Sequence, residues 1–221
     1  MRWETAAVTD GPDVVELFLA GAHVVAEAIA DPLVKDAWDR PSVLEEQSVG
    51  SVAGHLARAG VWVVGDYLDG GVPEGPAGFE SAGQYFAELM RASSPRSHEA
   101  IRERSATVAS VGAEGVARDV VTRLAALTPR LRALDPEHCI AVTGGITMRL
   151  GDYLVTRIVE QTVHLDDLAR SVERPPWPLP PESEALTIAV GAEVGRRRCG
   201  SATMIRALYR QGFADAALPV L

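Results

Sequence analysis

Glu160 and His164 stand four residues apart, and Tyr153, Arg157 and Asp167 continue the same row. On a helix advancing about 100° per residue these five side chains fall within roughly 80° of one another, so they form one polar stripe. Leu154, Ile158, Leu165 and Leu168 flank it on one side and Val155, Val159 and Val163 on the other. Turning the stripe to water would expose those apolar edges, and it is therefore expected to face inward. Ionisable groups buried in a row are costly unless they are paired or bound to metal, and Glu and His at i and i+4 can place an oxygen and a nitrogen on one ion. His55 shares an apolar face with Val52, Ala59 and Trp62 and is the third candidate ligand. By spacing alone the plainer readings come first: an exposed Glu-His helix pair, and a core histidine hydrogen-bonded within its bundle.

If the three converge, two imidazoles and one carboxylate make a borderline donor set that suits zinc and also nickel, cobalt or iron. Such a site keeps a coordination position open, where a thiol would lose its proton and become a nucleophile near neutral pH. No glutamate follows His55 and none lies between Glu160 and His164, so the HExxH pattern of metalloproteases is missing and peptide hydrolysis is disfavoured. Around the ligands, Asp167 is placed either to orient His164 or to sit in solvent. Arg157 either holds an anionic substrate or thiol cofactor or pairs with Glu160. Trp62 lines a pocket or packs in the core, and Tyr153 donates a proton or caps the pocket. No catalytic role is assigned beyond the three ligands.

The elements that must carry these residues read as helices. Apolar residues recur at helical spacing over 13–30, and Pro32 stops that helix. A polar stretch at 36–47 reads as an irregular crossing, Ser48 as an N-cap, and 49–68 as a second helix closed by Gly70 and Gly71. A Gly- and Pro-containing loop at 70–80 precedes a short helix at 81–91 and a loop at 93–96. Helical period returns at 99–108 and at 115–134, through Val116, Val120, Val121, Leu124, Leu127 and Leu131, with Pro129 as an expected kink. The β-branched stretch 139–150 reads as a hairpin with a two-residue turn at Gly144 and Gly145. Helix 152–171 carries the polar stripe, five prolines make 174–181 a rigid connection, and helices at 182–196 and 201–211 complete the chain. The fold class is all-α: a bundle at 1–173, then a proline-rich connection and C-terminal helices at 174–221 packed on it.

A formal net charge of −9 argues against nucleic acid as a partner, because no basic patch stands out that could displace phosphate counterions. Residues 1–13 have no basic and apolar leader pattern, and apolar runs such as 61–64 are far below the roughly 18 residues that span a bilayer. The expected setting is cytoplasmic, with no membrane partner. Cys139 and Cys199 are far apart and form no CxxC motif. Val190, Val194, Met204, Leu208 and Tyr209 in the last two helices either pack on the bundle or present a homodimer face.

Two stretches resemble a known family. "SVGSVAGHLARAGVWVVGDYLDG", preceded by "WDRPSVLEEQ", and "LGDYLVTRIVEQTVHLDDLARSV" are similar to the signature helices of the mycothiol-dependent maleylpyruvate isomerase family in the DinB-like superfamily, a likeness covering most of residues 10–171. The resemblance implies a DinB-like four-helix bundle with a divalent metal held by a histidine of the second helix and a Glu-x3-His pair of the fourth. His55, Glu160 and His164 fall on those positions, and Arg157 and Asp167 complete an R-x2-E-x3-H-x2-D frame. The implied chemistry is metal activation of a small thiol, typically mycothiol in actinobacteria, which attacks an electrophilic substrate in isomerisation or S-transfer. A composition with a single lysine, Lys35, and abundant Ala and Arg fits a high-GC genome of that kind. Two features depart from the family: "EQSV" replaces its usual Gly-Trp before the second helix, and two helices replace the C-terminal domain of the isomerases. The alternative is a bundle that binds metal or senses a small molecule without catalysis.

Overall fold

The computed structural model describes residues 13–71, 73, 77–216, 218 and 219; the reading of the first twelve residues and part of that of loop 70–80 lie outside them. Helix α1 (Val14–Ala30) starts where the Asp13 carboxylate accepts from the Val15 and Glu16 N–H groups, satisfying donors that have no partner inside the helix. A short α2 (Pro32–Asp36) follows. Ser48 does cap the next helix, its hydroxyl accepting from Ser51 N–H at 3.1 Å. That helix runs as α3 (Val49–Ala57), one π turn (Arg58–Trp62) and α4 (Val63–Asp69). Then come α5 (Ala82–Ala92), α6 (Pro95–Ala109), α7 (Gly112–Ala133), strands β1 (Cys139–Ala141) and β2 (Thr147–Arg149), α8 (Leu150–Ser171), α9 (Pro181–Cys199) and α10 (Ser201–Tyr209).

Helix α1 packs on α7 and α8, and α3 packs on α8. Phe18, Ile29, Leu56, Leu131, Leu154, Ile158 and Leu165 are essentially sealed from solvent at the centre, and removing such side chains from water is the main drive for the bundle. The mostly helical fold is the expected DinB-like class. Helix α6 lies along α3, and Gly54 permits that approach: a Cβ there would stand 2.5 Å from the Ser105 carbonyl oxygen. Helix α9 packs on α5 and α8, and α10 packs on α9. Val190, Val194 and Met204 are buried there, whereas Leu208 and Tyr209 remain exposed.

Three local readings change. Helix α6 begins at Pro95, inside the expected 93–96 loop, because Ser94 and Ser97 form a reciprocal capping box and Pro suits the first helical position. The β1–β2 ladder is antiparallel and pairs Ile140 with Met148, but it is not closed by a two-residue turn. Val142 N–H donates to the Ile146 carbonyl at 2.7 Å, leaving Thr143–Gly145 as a three-residue connection with φ of 76° at Gly144 and 75° at Gly145, backbone that glycine adopts without strain. Val121 lies off the buried face of α7, 57% exposed.

Candidate metal centre

The π turn shapes the floor of the site. It begins three residues after His55, at the end of α3, and offers the Ala59 and Gly60 carbonyls to α8: Arg157 Nη1 donates to Ala59 O at 2.9 Å and Gln161 Nε2 to Gly60 O at 2.9 Å. Wide turns of this kind recur at functional sites. Two side chains of α8 thereby fasten it to the helix carrying His55. Gln161 is itself 1% exposed, and Gly21 of α1 leaves it room, since a Cβ there would meet Gln161 Oε1 at 2.1 Å.

Between these helices His55, Glu160 and His164 converge. Glu160 Oε2 lies 3.2 Å from His55 Nε2 and 3.4 Å from His164 Nε2. One donor atom from each of the three residues falls within 4.8 Å of the others. Bonds of about 2.0–2.1 Å to a tetrahedral ion imply donor-to-donor edges of roughly 3.3 Å, which the two measured edges match. The imidazoles stand edge to face, with centroids 4.6 Å apart.

Their second nitrogens fix the tautomers. Ser105 donates its hydroxyl proton to the Ile101 carbonyl at 2.8 Å and stands 3.3 Å from His55 Nδ1, so that nitrogen carries the proton and donates to Ser105. His164 Nδ1 donates to Asp167 Oδ2 at 3.0 Å. Each ring thus turns its Nε2 toward a carboxylate oxygen, placed to share a proton with Glu160 or to give its lone pair to a metal ion. Three electron-rich atoms facing one another need a positive charge between them, a proton or a metal ion. The donor set therefore fits a divalent cation, with the imidazole-to-carboxylate support found around metal-bound histidines.

In the metal-free protein a proton takes that place. Burial opposes ionisation of Glu160, but hydrogen bonds from His164 and His55 and the charge of Arg157 hold its carboxyl well below the usual range. Burial likewise opposes a charge on His164; hydrogen bonds to Asp167 and Glu160 outweigh it and lift the imidazole to about 9. Arg157, 4% exposed, lies behind Glu160 at 3.9 Å, gives its Nε proton to Thr156 Oγ1 and stacks over the Tyr153 ring at 4.8 Å.

Above the cluster opens a cleft of about 680 Å³, lined by Val52 and His55, by Phe86, Leu89 and Met90 of α5, by Ile101 and Arg102 of α6, and by Glu160, Val163, His164 and Asp167 of α8. The inward stripe of α8 is thus divided. Glu160, His164 and Asp167 reach the cleft, while Arg157 and Tyr153 are turned beneath it. Tyr153, 1% exposed, stands edge to face with Tyr67 at 5.4 Å and Tyr85 at 6.2 Å. Trp62 does not line the cleft either: it packs against the core and meets the Arg123 guanidinium at 4.6 Å. Ser105 had no signal in the α8 stripe, and only its place on α6 opposite Gly54 betrays it.

Fold and site together define an all-α bundle with a three-donor cluster at the floor of an open cleft. The family model for the mycothiol maleylpyruvate isomerase N-terminal domain matches residues 18–169, and the chain belongs to that family. No curated protein and no solved structure matches it. Among the described residues, no helix is long and apolar enough to cross a membrane.

Proposed function

We propose that this protein is a metal-dependent thiol S-transferase or isomerase, using mycothiol and a small electrophilic substrate in the cytoplasm. His55, Glu160 and His164 are the ligands, and zinc is the ion that their borderline donors and the tetrahedral spacing favour. The carrying observation is the convergence of His55 Nε2 and His164 Nε2 on Glu160 Oε2, with His55 Nδ1 set against Ser105 and His164 Nδ1 against Asp167. A divalent ion held by these three residues would supply positive charge that lowers the pKa of a bound thiol. His55 and His164 keep their donor atoms aimed at one point, Ser105 and Asp167 hold the rings, and Arg157 keeps Glu160 ionised from behind. The apolar cleft wall excludes water from the attacking sulfur.

In S-transfer the thiol proton leaves to solvent, the sulfur pair forms the S–C bond, and the electrophile's leaving group departs with its bonding pair. In isomerisation the thiolate sulfur adds to one carbon of an alkene conjugated with a carbonyl, the π pair moves onto the carbonyl oxygen as an enolate, the new C–C single bond rotates, and the enolate pair re-forms the double bond as the S–C bond breaks to return the thiolate. A closed structural site would have no use for the cleft over its donors, which favours catalysis over passive metal binding. Metal-loaded protein, mycothiol and an electrophile such as a bromobimane should consume the thiol in step with product. His55→Ala, checked for fold by circular dichroism, should lower the rate at least about a hundredfold. Full turnover in that variant contradicts the proposal.

A further inference from the structure

The charges around the cleft limit what else it takes. Leu89, Met90, Ile101, Val159 and Val163 give it apolar walls, and beyond the three candidate ligands the ionisable groups among its lining residues are Glu45, Asp167, His98 and Arg102. The two basic groups are engaged: Arg102 Nη2 lies 3.2 Å from Glu46 Oε2, and His98 Nε2 is hydrogen-bonded to Ser93 Oγ. Arg157 is beneath the floor, its donors given to Ala59 O and Thr156 Oγ1. Glu160 and Asp167 together balance a divalent ion, and a thiolate adds one further negative charge against the single charge of Arg157. No basic group without a partner is left over for the second substrate among the described lining residues.

We propose, resting on the reading above, that the electrophile bound in this cleft is a neutral, largely apolar molecule and not a dicarboxylate. A carboxylate laid on the Leu89, Met90, Ile101 and Val163 wall would lose its hydration without gaining a counter-charge, and Glu45 would repel it. An apolar ring or chain gains by leaving water there. The cavity of about 680 Å³ falls within the usual range for small-molecule sites, roughly 300–1,000 Å³, so a compact second substrate can share it with a thiol.

The test uses metal-loaded protein saturated with mycothiol, and measures by calorimetry the binding of an unreactive pair sharing one ring, dimethyl phthalate and phthalate. The neutral ester should bind at least about tenfold tighter. Ile101→Arg, at a side chain already 39% exposed, places a cation on the wall and should narrow or reverse that ratio. Equal or tighter binding of phthalate to the unaltered protein overturns the inference, as does a ratio that Ile101→Arg leaves unmoved. The thiol reading is followed separately, by the thiolate-to-metal absorption of cobalt-loaded protein. A lost band with the ester preference intact removes the thiol chemistry alone, and a band with the preference reversed removes the neutral-substrate proposal alone.

Discussion

The two flanks of the site hold matching imidazoles by different means. On the α3 and α6 side, His55 Nδ1 rests on the Ser105 hydroxyl at 3.3 Å, a neutral acceptor that is itself tied to its own helix. On the α8 side, His164 Nδ1 rests on the Asp167 carboxylate at 3.0 Å, one turn along the same helix, with the Arg157 guanidinium behind Glu160. A hydroxyl orients a ring without adding charge, whereas a carboxylate orients it and raises its basicity. The α3 and α6 flank thus contributes direction, and α8 sets both direction and charge.

That contrast is broken most severely by removing a ligand. His55→Ala, His164→Ala or Glu160→Ala should each reduce bound metal from about one per chain to a small fraction, by elemental analysis of untagged protein. Metal retained in His55→Ala alone would mean that α8 binds the ion without its partner helix. Next in size is Arg157→Leu, which leaves Glu160 buried without its cation and strips the Ala59 carbonyl of its donor; urea unfolding should show a loss of about 3 kcal/mol. Asp167→Asn should lower metal affinity by roughly ten- to a hundredfold, measured by chelator competition.

The same Asp167→Asn change carries a pH mark that separates the flanks further. His164 has a folded pKa of about 9, raised above its ordinary value. In metal-free protein its stabilising contribution is complete below pH ~6.5 and is lost as pH rises through about 9. Asp167→Asn should flatten that fall in unfolding experiments across the window. Ser105→Ala should have the smallest effect, less than about tenfold in metal affinity, because it removes a neutral acceptor. A Ser105→Ala loss equal to that of Asp167→Asn would erase the distinction between the two flanks.

The α8 half of the site was legible in the sequence, since one helix carries Arg157, Glu160, His164 and Asp167 in fixed phase. His55 was legible as a histidine on an apolar face, but its convergence with Glu160 depends on how α3 meets α8. Ser105 was not: it stands 50 residues from His55, on a helix whose period was legible but whose packing partner was not. Trp62 was read as lining a pocket or packing in the core, and it packs against the core; no residue at Arg58–Trp62 announces the π turn. The hairpin at Cys139–Arg149 was read from its β-branched residues, while its turn length depended on Val142 bonding across to Ile146. Periodicity captured what lies along one helix, and missed contacts made between helices.

The most direct measurement of the central claim is titration of cobalt-loaded protein with mycothiol, followed by absorption. An intense near-ultraviolet thiolate-to-cobalt band that saturates at one thiol per metal, and is lost with the metal in His164→Ala, is the predicted result. A cobalt spectrum indifferent to the thiol, with the metal still bound through His55, Glu160 and His164, would contradict it.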